Sequence, residues 1–170
     1  VVGRTSDYNY AALDSLLGKL GKHSRVVILD GVQDPHNLGA ITRTAVCAGA
    51  AGIVIPERNA AGMTAAAIKA SAGAAMEATV VRVKNIVRVL ETLKERGVWC
   101  VAVEADGEKQ LGELDPNLPY AFVFGGEGAG LRRLVREKCD MSLSIPMHGS
   151  IGSLNVSVSV GVTLYSVYQN

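Results

Sequence analysis

The sequence predicts an α/β fold: a mostly parallel sheet with helices on both faces. Three observations lead there. Short β-branched runs are almost continuously apolar, as strands buried on both faces are. They alternate with longer stretches whose apolar residues recur at helical spacing. Glycine, proline and aspartate bound the runs. With 170 residues, 48% hydrophobic and 19% charged, the chain can bury one domain core and has no disorder bias.

In order, Tyr10–Lys19 is amphipathic, with Leu13, Leu16, Leu17 and Leu20 on one stripe and Gly21 as the stop. Residues 1–24 therefore read as a linker and docking helix, and 25–170 as the main domain. Strands are expected at Val26–Leu29, Gly52–Pro56, Thr79–Val83, Trp99–Val103, Ala121–Phe124 and Leu143–Pro146. Helices are expected at Leu38–Ala50, Thr64–Ala75, Ile86–Arg96 and Leu131–Lys138. The last segment is a conflict. From Leu154 to Val162 apolar residues alternate strictly, which suits a strand. The apolar stretch nevertheless runs on to Tyr168, longer than strands usually are, and Leu154, Val158, Val162 and Tyr165 also form a helical stripe.

Composition narrows function only a little. No apolar run approaches the roughly 18 residues that cross a bilayer, so no membrane partner is expected. The start, Val1-Val2-Gly3-Arg4, has neither an apolar signal region nor an initiator Met, as in a processed chain or a piece of a longer one. Cys47, Cys100 and Cys139 fit no metal spacing and read as buried free thiols of a reducing cytoplasm. A net charge of +1 leaves a small neutral substrate open, or RNA gripped by local basic residues or by a part outside this chain.

Three polar or glycine-rich blocks follow strand ends, where ligands bind in α/β sheets. The first, Leu29–Ala45, reads as a strand-to-helix turn with the helix starting near Asn37, a favoured cap residue. Arg43 is its odd member: in so apolar a helix an arginine should meet a carboxylate or phosphate. The second, Phe122–Arg132, sets Glu127 among Gly125, Gly126, Gly128 and Gly130. It is neither a P-loop nor a dinucleotide fingerprint, since no Gly-Lys-Ser/Thr follows and position 131 is Leu. An acid there repels phosphate, so a neutral or cationic ligand, or an orienting role, is expected. The third, Ser144–Ser159, is a small-residue loop in which Ser153 could cap a terminal helix and hydroxyls could read an adenine or ribose.

Asn37-Leu-Gly-Ala-Ile-Thr-Arg43, Phe124-Gly-Gly-Glu-Gly-Ala-Gly130 and Ile145-Pro-Met through Ser153-Leu-Asn-Val-Ser157 resemble, in this order, the three motifs of the SpoU/TrmH family of RNA 2′-O-ribose methyltransferases in the SPOUT superfamily. The stretches Asp30–Ala40 and Ser144–Val158 look most like the branch that methylates a guanosine of large-subunit ribosomal RNA. The resemblance implies a homodimer with its active site near the interface, a deep C-terminal trefoil knot, and a helix over Leu154–Tyr168. It implies that full-length relatives carry a small N-terminal RNA-binding domain missing here, and that S-adenosylmethionine is the methyl donor. Gly125, Ile145 and Leu154 would form the donor pocket, with Val103-Glu104-Ala105 as a further wall. Asn37, Arg43, Glu127, Ser153 and Asn155 would form the reacting side.

A sulfonium methyl is already activated, so no metal is expected. Arg43, a poor base at neutral pH, is expected to grip a phosphate and stabilise charge on the attacking oxygen. His36 and His148 read as turn and loop residues, and Arg132, Arg133, Arg136 and Lys138 as candidate RNA-backbone contacts or a solvated helix face. The rivals are a transfer RNA methyltransferase, a non-catalytic RNA-binding relative, and a nucleotide-dependent small-molecule enzyme, for which the phosphate loop is missing.

Overall fold

The computed structural model describes residues 7–168, so the first six residues of the expected linker lie outside the described residues. Seven strands form one sheet: β1 (Arg25–Asp30), β2 (Gly52–Pro56), β3 (Val80–Val83), β4 (Trp99–Val103), β5 (Lys109–Gln110), β6 (Tyr120–Gly125) and β7 (Met141–Ser144). Their order is β3-β2-β1-β6-β4-β7-β5, and every pairing is parallel. Six α-helices connect them: α1 (Leu13–Leu17), α2 (Pro35–Cys47), α3 (Ala65–Ala70), α4 (Ile86–Glu95), α5 (Arg133–Lys138) and α6 (Val156–Ser166). None is long and apolar enough to cross a membrane.

The fully buried runs on β1, β2 and β6 serve two cores at once, because successive side chains point to opposite faces of a strand. Val27 and Leu29 enter the core that Ile41 of α2 and Leu164 of α6 share. Val26 and Ile28 enter the other, with Leu16 of α1, Leu90 of α4 and Val135 of α5. The amphipathic N-terminal stretch is thus a docked helix, Leu16 being wholly buried. At the opposite end of the sheet from the site, the buried guanidinium of Arg25 donates to the carbonyls of His23, Leu118, Pro116 and Val167, tying the end of α6 to β1.

Several expectations need correction. Helix α2 starts at Pro35, and its cap is Asp34, whose carboxylate accepts the His36 N–H. Proline at the first helical position costs no intrahelical bond, so Asn37 sits inside the first turn. The cap of α6 is Asn155, which accepts from the Ser157 N–H at 2.9 Å; Ser153 makes no such bond. The strand expected at Leu143–Pro146 spans Met141–Ser144, because Asp140 and Met141 already pair alongside β4. Cys100 is buried, but Cys139 is half-buried and Cys47 exposed.

Candidate active site

The carboxyl ends of β4, β6 and β7 open into one cavity of about 620 Å³, walled by Val103, Phe124, Gly125, Ile145, Met147 and Leu154 and rimmed by Glu104, Glu127, Ser153 and Asn155. Every residue expected to hold a donor therefore meets in one place, together with three of the five expected on the reacting side. The close approach of backbones makes this possible. A Cβ at Gly125 would lie 2.2 Å from the carbonyl carbon of Gly130, and one at Gly126 2.2 Å from the Gly31 oxygen. Neither position has room for a side chain.

A hydrogen-bond chain joins the three sequence blocks across this rim. Asn155 donates its side-chain N–H to the Asn37 carbonyl oxygen at 3.1 Å. Asn37 donates to Glu127 Oε1 at 2.7 Å, and the Gln33 backbone N–H reaches Oε2 at 3.4 Å. The orientations follow from the ends. An ionised carboxylate only accepts, so the Asn37 amide must turn its NH2 toward Glu127 and its oxygen toward Asn155. The Ser157 N–H only donates, so the Asn155 oxygen must face α6. Both amides are fixed without ambiguity, and each keeps a second N–H for a ligand.

Glu104, which the sequence offered only as part of a wall, is a charged group at the cavity's edge, as are Asp106 and Glu127. Its Oε2 lies 2.8 Å from Arg136 Nε, yet the N–H is misaligned and the oxygen has no hydrogen bond. Burial pushes this carboxyl above the ordinary glutamate range, against the pull of Arg136.

Arg43 is not brought to this cavity within the chain. It is exposed on α2, on one stripe with His36 and Cys47, lines neither cavity of the site, and makes no hydrogen bond or ion pair among the described residues. Its apolar neighbours Ile41 and Ala45 face the core instead, as does Thr42. The basic cluster around α5 is already committed: Arg132 to Asp30, Arg133 to Glu137, Arg136 to Glu104 and Lys138 to Glu91. His36 and His148 are exposed. Among the described residues no cluster could hold a metal ion.

Comparison with known proteins agrees with this geometry. Residues 24–165 match the family described as the SpoU rRNA Methylase family. The chain is 46% identical, over 99% of its length, to the TrmH family tRNA/rRNA methyltransferase YacO of Bacillus subtilis, of which it covers 69%. It is 44% identical, over 94% of its length, to the 23S rRNA (guanosine-2′-O-)-methyltransferase RlmB of Nitrosomonas europaea, of which it covers 62%. The crystal structure of the SpoU methyltransferase AviRb from Streptomyces viridochromogenes in complex with AdoMet superposes with a TM-score of 0.87 at 27% identity, over 94% of this chain and 64% of that one. The chain thus spans roughly two thirds of the length of these relatives.

Proposed function

The chain belongs to the SpoU rRNA methylase family, and from that premise we propose that it is the catalytic part of an S-adenosylmethionine-dependent enzyme that methylates the ribose 2′-hydroxyl of a guanosine in large-subunit ribosomal RNA. One observation carries the reading: the glycine-cradled cavity at the strand ends and the Glu127–Asn37–Asn155 chain on its rim lie side by side. The relatives named for 23S rRNA guanosine support the ribosomal target. The name of the B. subtilis relative includes transfer RNA as well, which keeps a transfer RNA guanosine as the second reading. By analogy with those longer relatives, residues 1–24 lead from a separate RNA-binding domain, and the work is done in the cytoplasm.

The cavity suits the donor. Its volume is within the range of small-molecule sites, Ile145 and Leu154 offer apolar faces for an adenine, the bare Gly125 admits close backbone approach, and the Glu104 carboxylate, ion-paired with Arg136, can also accept from a ribose hydroxyl. When bound, the donor supplies an electrophilic methyl that needs no further activation. The protein's task is then placement and charge. Asn37 and Asn155, held rigid by Glu127 and by the start of α6, present oriented N–H groups to the acceptor ribose, and Ser153 adds a hydroxyl. Arg43 grips the neighbouring phosphate and stabilises negative charge as the 2′-oxygen attacks.

Arg43 can do this from a second copy of the chain. Arg43 is exposed on α2, and α6, which packs against α2, exposes Val158, Val162 and Tyr165, an apolar patch of the kind that pairs two subunits. The active site then lies near the interface of a homodimer. The deep trefoil knot of the family is part of the same reading; Gly107 and Gly126, each pressed against the backbone of another segment, fit a chain threaded past itself here.

Arg43→Ala should abolish methyl transfer while donor affinity, by calorimetry, stays within a few fold; a collapse of donor binding would remove the assigned role. Mapping 2′-O-methylation in ribosomal and transfer RNA from cells with and without the gene separates the two targets.

A further inference from the structure

Across Glu127 from the donor cavity lies a second cavity of about 350 Å³, enclosed by the loops after β1, β2 and β6. Gly126, Glu127 and Gly130 wall both. The two arginines of the second cavity differ. Arg132 is consumed: its Nε and a terminal nitrogen each lie 2.7 Å from Oδ1 of Asp30, and its backbone N–H takes Oδ2 at 2.9 Å. Arg58 makes no hydrogen bond or ion pair among the described residues, although the loop that carries it is held at both ends. Glu57 N–H donates to the Val83 carbonyl and Ala61 N–H to that of Val32, each at 2.8 Å. Between them Asn59 adopts the left-handed conformation, φ 55°, which asparagine tolerates better than most residues, and Arg58 and Asn59 both line the cavity.

The polar set here is mixed. One uncompensated guanidinium and the side chains of Asn59 and Gln33 share the cavity lining with the Glu127 carboxylate, which the Gln33 backbone N–H reaches. A phosphate site would exclude that carboxylate. A guanine suits the whole set, because O6 and N7 match a guanidinium while the N1–H and N2–H donors match acceptors. An adenine puts a donor where guanine has O6, and a pyrimidine has no N7. A base held here also leaves its own ribose at the shared wall, beside the donor cavity.

We propose that the second cavity is the acceptor-base subsite and that Arg58 selects guanine in it. The inference rests on the methyltransferase reading and adds the residue that sets base preference. The test uses the full chain with ribosomal RNA from cells lacking the gene as methyl acceptor, and GMP, 7-deaza-GMP, AMP and CMP as competitors at millimolar concentration. GMP should inhibit at a concentration about tenfold or more below the other three. Arg58→Ala should erase the difference between GMP and 7-deaza-GMP, and Arg58→Lys should restore it only in part, since an ammonium cannot bond both acceptors in the plane. Affinity for S-adenosylhomocysteine should be unchanged in both variants. The inference is overturned if Arg58→Ala keeps the preference for GMP, if it weakens all four nucleotides equally, as a phosphate contact would, or if GMP fails to compete. Wild-type protein that binds no S-adenosylhomocysteine and methylates no RNA refutes the underlying reading instead.

Discussion

Gly125→Ala is the perturbation whose effect the coordinates define most directly. The added methyl would meet the Gly130 carbonyl carbon at 2.2 Å, the Leu131 nitrogen at 2.5 Å and the Gly130 oxygen at 2.6 Å. Ordinary contact needs about 3.5 Å, so the loop must retreat by about 1 Å. All three atoms are backbone, and no side chain can swing aside. Overpacking of this kind costs about 1–3 kcal/mol, and in a protein of this size each kcal/mol lowers the melting temperature by about 2–4 °C. A fall of about 3–10 °C is expected. The retreating loop carries Glu127 and the floor of the cavity, so S-adenosylhomocysteine should bind at least about tenfold more weakly, a little over 1 kcal/mol. Two other glycines grade the result. Gly152 meets nothing within 4 Å and has no positive φ, so its alanine variant should stay within about 0.5 kcal/mol of the parent. Gly128 also has room but sits at φ +77°, and alanine there should cost about 1 kcal/mol through strain alone. Thermal melts and calorimetry on the three variants suffice. If Gly125→Ala melts within about a degree of the parent, or ranks below Gly128→Ala in damage, the steric reasoning is wrong.

Two further perturbations probe separate parts of the site. Asn155→Asp keeps an oxygen to cap α6 but loses the N–H that Asn37 accepts; stability should hold while methyl transfer falls, whereas Asn155→Ala should also lose about 1 kcal/mol of stability with the cap. Equal melting temperatures for the two variants would contradict this division. Burial pushes the thiols of Cys100 and Cys139 up to about 12, so their reactive thiolate forms only at strongly alkaline pH. Iodoacetamide between about pH 7 and 9 should modify Cys47 in the dissociated chain and spare the other two until the protein unfolds; mass spectrometry that finds Cys100 or Cys139 modified first would refute it.

How much of this was legible depended on whether the determining contact is local. Strands β2 and β4 coincide with their apolar runs because a strand covered on both faces must be apolar throughout. The loops that carry Gly125, Ile145 and Leu154 were findable because polar loops at strand ends converge in a parallel sheet, while the choice of these three residues came from the family resemblance. Helix starts were misread where two polar residues compete to cap, as Asp34 and Asn37 do, or Ser153 and Asn155. The commitment of Arg132 to Asp30 bridges 102 positions and left no trace in either segment. Glu104 lies one residue past a strand, with only its charge to mark it. Arg58 looked like any loop arginine, since its meaning comes from a cavity that three separate loops enclose. The apolar surroundings of Arg43 in sequence do not imply its burial: a helix hides its apolar residues on other faces, and the stripe His36, Arg43, Cys47 is the exposed one.

Helix α6 shows how two helical signals can imitate a strand. Val160, Thr163, Leu164 and Val167 are buried, while Leu154, Val158, Val162 and Tyr165 form an exposed stripe. Each set alone repeats at helical spacing; interleaved from Leu154 to Val162, with half-buried Val156 between them, they alternate with Asn155, Ser157, Ser159 and Gly161 and give a period of two. A helix apolar on opposite faces is one covered on both. Helix α2 and the sheet cover one face, with Gly161 close to the Thr44 side chain; on the proposed reading a second copy covers the other. Val158→Asp with Val162→Asp places charges on side chains 49% and 38% exposed in the single chain, so the fold should be little changed, within about 1 kcal/mol, while sedimentation should move from dimer to monomer. Activity should fall with it, because Arg43 stands outside its own chain's cavities. Mixing inactive Arg43→Ala with inactive Glu127→Ala, then exchanging subunits, should recover about a quarter of the parental rate, half the dimers carrying one intact site. Recovery would place Arg43 in the neighbour's site. A fully active doubly charged monomer, or no recovery on mixing, would return Arg43 to its own chain and leave the outer stripe of α6 without this explanation.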